Sequence, residues 1–388
     1  MLFLTVSLFC GAFAETVLVE GDLQEAINLA VDGDTLILPA GRYVARAATF
    51  VEATCGNCAE HQTRVQATRG FVIDAKGLVL RGRSAEKTVL VTQAGYGLLL
   101  LNSQGSVIEN LTITGGKRDP DGAATDAGIV LKNSRAVIRR CLIADNTDYI
   151  DSTIVGIGGI MLREGSDARI EQCTIVNNSW DGIALYRGAQ AVISDCVIDS
   201  GRGAGIGVTW DAAAICLRNR VSNYWKGIGS FGTATVIARN NAVCDNLGWG
   251  IITSGQSTMI AENNVSARNG NCGMAVWNAG TRGRMVNNIS AFNGWRKEWV
   301  CPCVGFWNQE GDTAGWTVSH NIVWDNAAGD VLGQDSTRFL FTDPLFSDTL
   351  SFRLDKSSPA LNAGDPAISN RDGTRSHIGL TGGPSAKR

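Results

Sequence analysis

Two columns of residues recur along this chain in matching steps, and they leave few folds open to it. Aligning VIENLTI, VIRRCLI, RIEQCTI, VISDCVI, CLRNRVS, ARNNAVC, AENNVSA, MVNNISA and VSHNIVW gives a column of Asn110, Cys141, Cys173, Cys196, Asn219, Asn241, Asn264, Asn288 and Asn321. Its steps are 31, 32, 23, 23, 22, 23, 24 and 33. A second column, a Gly followed by an apolar residue, runs through Gly128, Gly159, Gly182, Gly205, Gly227, Gly250, Gly273 and Gly305 in steps of 31, 23, 23, 22, 23, 23 and 32. The long steps nearly coincide, so they mark loops inserted into a repeat of about 23 residues. Short β-branched stretches broken by Gly and Asn at that period fit a solenoid coil of two or three strands. Coils stacked at the usual strand separation of roughly 4.8 Å place Ile, Val and Leu in continuous inward ladders. The Asn column can then satisfy the backbone of its own bend and the next Asn amide. Cys141, Cys173 and Cys196 in that column read as buried, reduced apolar fillers.

Four segments follow: a leader over 1–14, an N-terminal cap with a Cys-containing loop over 15–70, the solenoid over 71–335 and an irregular C-terminal cap over 336–388. The opening MLFLTVSLFCGAFA has the apolar run and small-residue ending of a signal peptide, which makes secretion or a periplasmic location the expectation. In an exported protein Cys55 with Cys58, and Cys301 with Cys303, are the disulfide candidates. Leu23, Ala26, Ile27 and Ala30 form an apolar stripe at helical spacing, with Asp22 as its N-cap, so a short helix covers the open end of the solenoid. A net charge of −3 offers no field for nucleic acid, and no later run of 18 apolar residues suggests a membrane span. Turn duty is the expected role of Asp365 and Asp372 in the C-terminal segment, with calcium as the alternative cofactor.

From about residue 16 onward the chain resembles the bacterial parallel β-helix proteins of the pectate-lyase-like superfamily. The resemblance lies in LQEAINLAVDGDTLILPAGRY, in the Asn/Cys column, and in a tail carrying DPLF, SPALNAGDP and DGT. The segment VIDAKGLVLRG and the later repeats are similar also to the β-helix protein of periplasmic copper maturation. The resemblance implies an all-β, single-stranded right-handed parallel β-helix. It transfers no catalytic set: the chain lacks the Asp-Asp, Gly-His-Gly and Arg-x-Lys signatures of polygalacturonases and the Asp-Pro-His-Asp motif of alginate epimerases.

With the Gly column as a ruler, residues one and three after it point inward, and those two and four after it point outward. The outward floor is small (Ala184, Gly207, Gly229, Ala275), and Arg163, Tyr186, Phe231 and Trp277 stand on one margin. Trp180-Asp181, Trp225-Lys226 and Trp249 stand on the other, and Arg187, Trp210, Asp211 and Tyr224 fall at the margins too. A floor of small residues between aromatic and charged walls suits a sugar chain, whose rings stack on Trp and Tyr while its carboxylates meet Arg or Lys.

An acidic polysaccharide is therefore the expected partner, with the protein a monomer. A uronate lyase or epimerase would draw its base and its clamp from Lys226, Arg187 and Asp181. Asp181 and Lys226 fall in one column two coils apart, which is roughly 10 Å by strand spacing. Two other readings compete, a glycan-binding scaffold without catalysis and a metal-handling factor. For the latter, Cys55, Cys58 and His61 are the candidate copper or zinc ligands. A stacked ion pair between Glu164 and Arg187 is the structural alternative for those two side chains.

Overall fold

The computed structural model describes residues 14–278, 280–296, 301–311 and 315–387, so the leader read from the sequence lies almost wholly outside the described residues. Among the described residues three sheets of twelve strands, parallel except for one edge strand, run the length of the solenoid. Every coil contributes one strand to each sheet in turn, as in the coil Asp167–Glu171, Thr174–Val176 and Ile183–Leu185. The first two sheets already include Thr16–Leu18, Thr35–Leu38 and Gly41–Val44, inside the segment that the sequence suggests as a cap. The third begins with an antiparallel pair, Ala48–Glu52 on Val65–Asp74, which is parallel from there on.

Inward positions match the alternation. Ile160, Leu162, Ile183, Leu185, Ile206 and Val208 from the third sheet join one continuous apolar core with residues of the other two sheets. Helix α1 (Leu23–Leu29) closes the N-terminal end by burying Leu23 and Ile27, with the Asp22 carboxylate accepting the Glu25 amide.

The bends carry hydrogen-bonded Asn ladders. Asn219, Asn241, Asn264, Asn288 and Asn321 are buried, and each of the last four offers its Oδ1 to the backbone N–H and the side-chain amide of the one before it. Asn110 is not in this column. The pairing of Thr112 with Leu142 puts Leu111 in line with Cys141, and Asn110 occupies the preceding left-handed position at φ 57°. A second ladder, at the next bend, links Asn246, Asn269, Asn293 and Asn326 and separately Asn146 with Asn178. Tyr224 interrupts it. The Tyr224 amide donates to Asn246 Oδ1, and its ring fills the space over Gly201, where a Cβ would meet the ring.

The Gly column owes its composition to close approach from the second sheet. A Cβ at Gly159 would sit 2.6 Å from Ile175 Cγ2, and one at Gly250 would meet Ser266 Oγ and lie 2.6 Å from the Gly273 carbonyl oxygen.

The C-terminal segment does not lie over the last coils alone. It runs back along the outside of the second sheet, where Ala242, Cys244, Val265, Ala267, Ile289 and Ala291 point outward and are covered by Phe352, Ala360 and Ile378. Asn240 donates to the carbonyls of Leu380 and Gly382, and Arg218 to that of Ser385, four coils before the last strands of the sheet. Asp365 accepts from Ala367 and pairs with Arg284, while Asp372 accepts the Thr374 amide and hydroxyl, so both carboxylates are occupied in turns.

Candidate functional site

Loop lengths place the site. All the connections entering the third sheet leave the same edge of the solenoid, and three are long: 115–126, 145–157 and 292–305. Between the second and third of these, the coils carrying Ile183–Leu185, Ala204–Val208, Lys226–Ser230, Trp249–Ser254 and Met274–Trp277 enter through three to six residues. The outer face of the third sheet thus forms a gap between walls of inserted chain.

Both ends of that face are covered. Towards the N-terminus Tyr96, Leu99, Val130, Met161, Ala184 and Tyr186 form an outer apolar cluster beneath Phe50. The segment 53–64 then crosses three coils, held by cations from each. Lys132 donates to the Thr54 hydroxyl at 3.3 Å and pairs with Glu52 just before the segment, Arg163 donates to the Thr54 carbonyl oxygen at 2.6 Å, and Arg187 donates to that of Cys58. Cys55 and Cys58 form a disulfide within this segment. Towards the C-terminus Trp249, Ile252, Cys272, Ala275 and Trp307 pack beneath Cys301 and Val304.

Several expected binding residues are consumed by this covering. Arg163 is 0% exposed and bonds Tyr96, Thr125, Thr54 and Glu164, so it is a buried strut and not a surface clamp. Glu164 pairs with Arg163 and with His61 at 3.3 Å, in place of the expected pair with Arg187. Tyr224 is 0% exposed and points into the solenoid, because its bend position faces the core. Trp249 is buried with its indole N–H directed at Cys301 Sγ, 2.9 Å away. Trp225, Trp249, Trp277 and Trp307 follow one another over four coils at centroid distances of 5.5–5.7 Å, a packed column and not a row of free rings. Cys301 faces Cys272, with the sulfurs 3.2 Å apart, whereas Cys303 donates to the Arg296 carbonyl oxygen.

The remaining candidates fall into two groups. On the trailing edge Arg187 Cζ lies over the Trp210 ring at 4.1 Å from its centroid, and with His61, Glu164, Asp211 and Thr233 they line a shallow cavity. Asp211 is exposed and accepts the Gly188 amide at 2.8 Å. This group is separate from the leading edge, where Asp181 and Lys226 stand. Arg187 therefore serves the covering segment and this cavity.

On the leading edge, parallel pairing sets Asp181, Ala204 and Lys226 in one outward column. Asp181 Oδ1 accepts the Ala204 amide at 2.6 Å, and the Tyr186 hydroxyl stands 3.5 Å from Oδ2. Burial pushes the Asp181 carboxyl up to about 6, against the opposing pull of the Ala204 amide and the Lys226 charge. Burial also lowers Lys226, which Asp181 partly restores, and holds the Tyr186 phenol well above its ordinary range. Lys226 Nζ lies 5.1 Å from the Phe231 ring. Between the two charges the intervening coil presents Ala204 and Gly207, and a Cβ at Gly207 would lie 3.3 Å from Ala204 Cβ. A Cβ at Gly203 would press on Asp181 and Trp180, so the approach to this carboxyl depends on glycine.

Trp180 and Trp225, on the rim beside these charges, are partly roofed. Arg202 lies against Trp180 and Tyr149 while donating to the carbonyls of Ser152 and Ile154, and Arg296 lies against Trp225. Neither arginine was visible as a site residue in the sequence. The signal available for Arg202 is its place in a four-residue connection beside the long loop 145–157.

The sequence matches the family described as right-handed beta helix region over residues 63–221, and that described as periplasmic copper-binding protein (NosD) over 157–293. The chain is a right-handed parallel β-helix. No curated protein matches the sequence. Similar solved structures include a pectate lyase, at 14% identity over 92% of this β-helix and 90% of that chain, with a TM-score of 0.45. A periplasmic alginate epimerase matches at 14% identity over 84% and 85%, with a TM-score of 0.47. The A-module of a mannuronan C-5 epimerase from Azotobacter vinelandii matches at 14% over 83% and 96%, with a TM-score of 0.43.

Proposed function

We propose that this β-helix is an exported protein that binds an acidic polysaccharide in the gap on its third sheet and acts on a uronic acid held between Asp181 and Lys226. The observation that carries the reading is the disposition of those two charges. A carboxyl raised to about 6 and an ammonium face each other across one coil of small residues, with a phenol beside the carboxyl. Such a pair, unbridged by a salt link, leaves room for a sugar between coils roughly 10 Å apart.

In this reading Lys226 pairs with the sugar carboxylate, and the ionised Asp181 takes the proton from C5. The C5–H electron pair passes into the enolate form of that carboxylate, whose charge Lys226 neutralises. Delivery of a proton from water to the opposite face gives the epimer, and Asp181 releases its own proton to the hydroxide so formed. Alternatively the C4–O bond breaks, a C4–C5 double bond forms, and Tyr186 protonates the departing oxygen. Asp181 then returns its proton to the tyrosinate, leaving both side chains as they began. A glycan-binding role without turnover would use the same gap. Metal handling has less support, because Cys55 and Cys58 are bonded to each other, and among the described residues no three His, Cys, Asp or Glu come together as a metal site.

The test is incubation with a panel of polyuronates. Unsaturated ends are read by ultraviolet absorbance and epimers by proton NMR. Turnover lost in Asp181→Asn and Lys226→Ala is the expected result. Folded protein that neither binds nor converts any uronan would remove the proposal.

A further inference from the structure

The sulfur cluster where Cys301 and Val304 pack on the third sheet is unused by the function proposed above. Cys272 lies in the outward column of Asp181 and Lys226, two coils beyond the latter, and Cys301 descends onto it from the loop. Their sulfurs are 3.2 Å apart, and both residues are buried. The approach is held from several sides. Trp249 directs its indole N–H at Cys301, and Cys272 Sγ lies 2.7 Å from the Pro302 carbonyl oxygen. Cys303 is drawn the other way, towards Asn271 and the Arg296 carbonyl oxygen. A disulfide needs the two sulfurs at about 2.05 Å, roughly one ångström closer than they stand.

We propose that Cys272 and Cys301 are a disulfide-forming pair that bolts the C-terminal wall of the gap to the coil beneath it. The oxidant is a disulfide, of a small thiol or of an oxidase. Its S–S bond breaks on attack by one cysteine thiolate, the second cysteine resolves the mixed disulfide, and two thiols and one Cys272–Cys301 bond result. Burial raises the Cys272 thiol as it does that of Cys216, so what sets the pair apart is place: Cys141, Cys173, Cys196 and Cys216 lie in the core inside the solenoid, and Cys272 lies on its outer face against Cys301. The core cysteines stay reduced. The bond closes a 29-residue loop, so it restrains the unfolded chain as well as the wall.

The experiment equilibrates the full chain with a glutathione redox buffer, traps thiols with an alkylating agent under denaturing conditions, and maps the linked peptides by mass spectrometry. The expected product links Cys272 to Cys301, with Cys303 alkylated and the oxidised protein melting several degrees higher. Cys303→Ser keeps the bond and the shift, and Cys272→Ser loses both. A Cys301–Cys303 link in the wild-type chain, or Cys272 alkylated throughout while Cys303→Ser is folded, would overturn the proposal.

Discussion

Asp181 and Lys226 stand in the same outward column of the third sheet, separated by Ala204, whose amide is bound by the Asp181 carboxylate. That arrangement places a carboxyl in a site that disfavours its charge. Its raised value means the folded chain holds this proton more tightly than the unfolded one does. Stability is therefore lost as pH rises from about 4 to about 6, and the loss stays in place above that. Asp181→Asn, which keeps an oxygen for the Ala204 amide, is expected to stabilise the protein by about 2–3 kcal/mol at pH 8 and little at pH 4. Urea unfolding at both pH values measures this.

The same shift sets a pH profile. If ionised Asp181 takes the proton, kcat/KM on a uronan rises through about pH 6 and levels off above. Initial rates across pH 4–9 check it, and a profile flat through that region would assign the base elsewhere.

The Asn264 side chain makes four contacts in its ladder. Its Oδ1 accepts from the Asn241 backbone and side chain, and its Nδ2 donates to the Ala238 carbonyl oxygen and to Asn288. Asn264→Ala orphans buried groups on two coils and is expected to cost about 2–4 kcal/mol. Cys173→Ala should cost less, because it removes weak sulfur contacts only. Thermal unfolding ranks the two.

Arg163 ties the covering segment to the solenoid through Tyr96, Thr125 and Thr54. Arg163→Met leaves Glu52 and Glu164 without that cation and is expected to destabilise by about 3–5 kcal/mol. Hydrogen exchange should accelerate over 48–64 while the Asn ladders stay protected.

How much of this was legible follows from what each residue answers to. The Gly column was readable because each member from Gly128 to Gly273 meets a side chain of the second sheet, and the Asn column because each Asn from 219 to 288 bonds the next. The second Asn ladder shares those steps, and only Gly201 and Tyr224 hide it. Arg163 and Trp249 have the outward register that the alternation gives them, but register does not say what lies above. The segment 53–64 and the 292–305 loop belong to no repeat, so their docking on those residues left no periodic mark. Tyr224 was misassigned for another reason: at a bend, alternation stops, and the ring follows the turn inward.

The most direct test is calorimetric titration of the wild type, Lys226→Ala and Arg187→Ala with an acidic oligosaccharide selected from the panel. Placement of the sugar between Asp181 and Lys226 predicts a loss of at least about tenfold in affinity for Lys226→Ala, of the order expected for a buried charge pair. Arg187→Ala, on the far edge against Trp210, should stay within about threefold. Unchanged binding by folded Lys226→Ala, with loss in Arg187→Ala, would contradict the account and move the site to the trailing cavity.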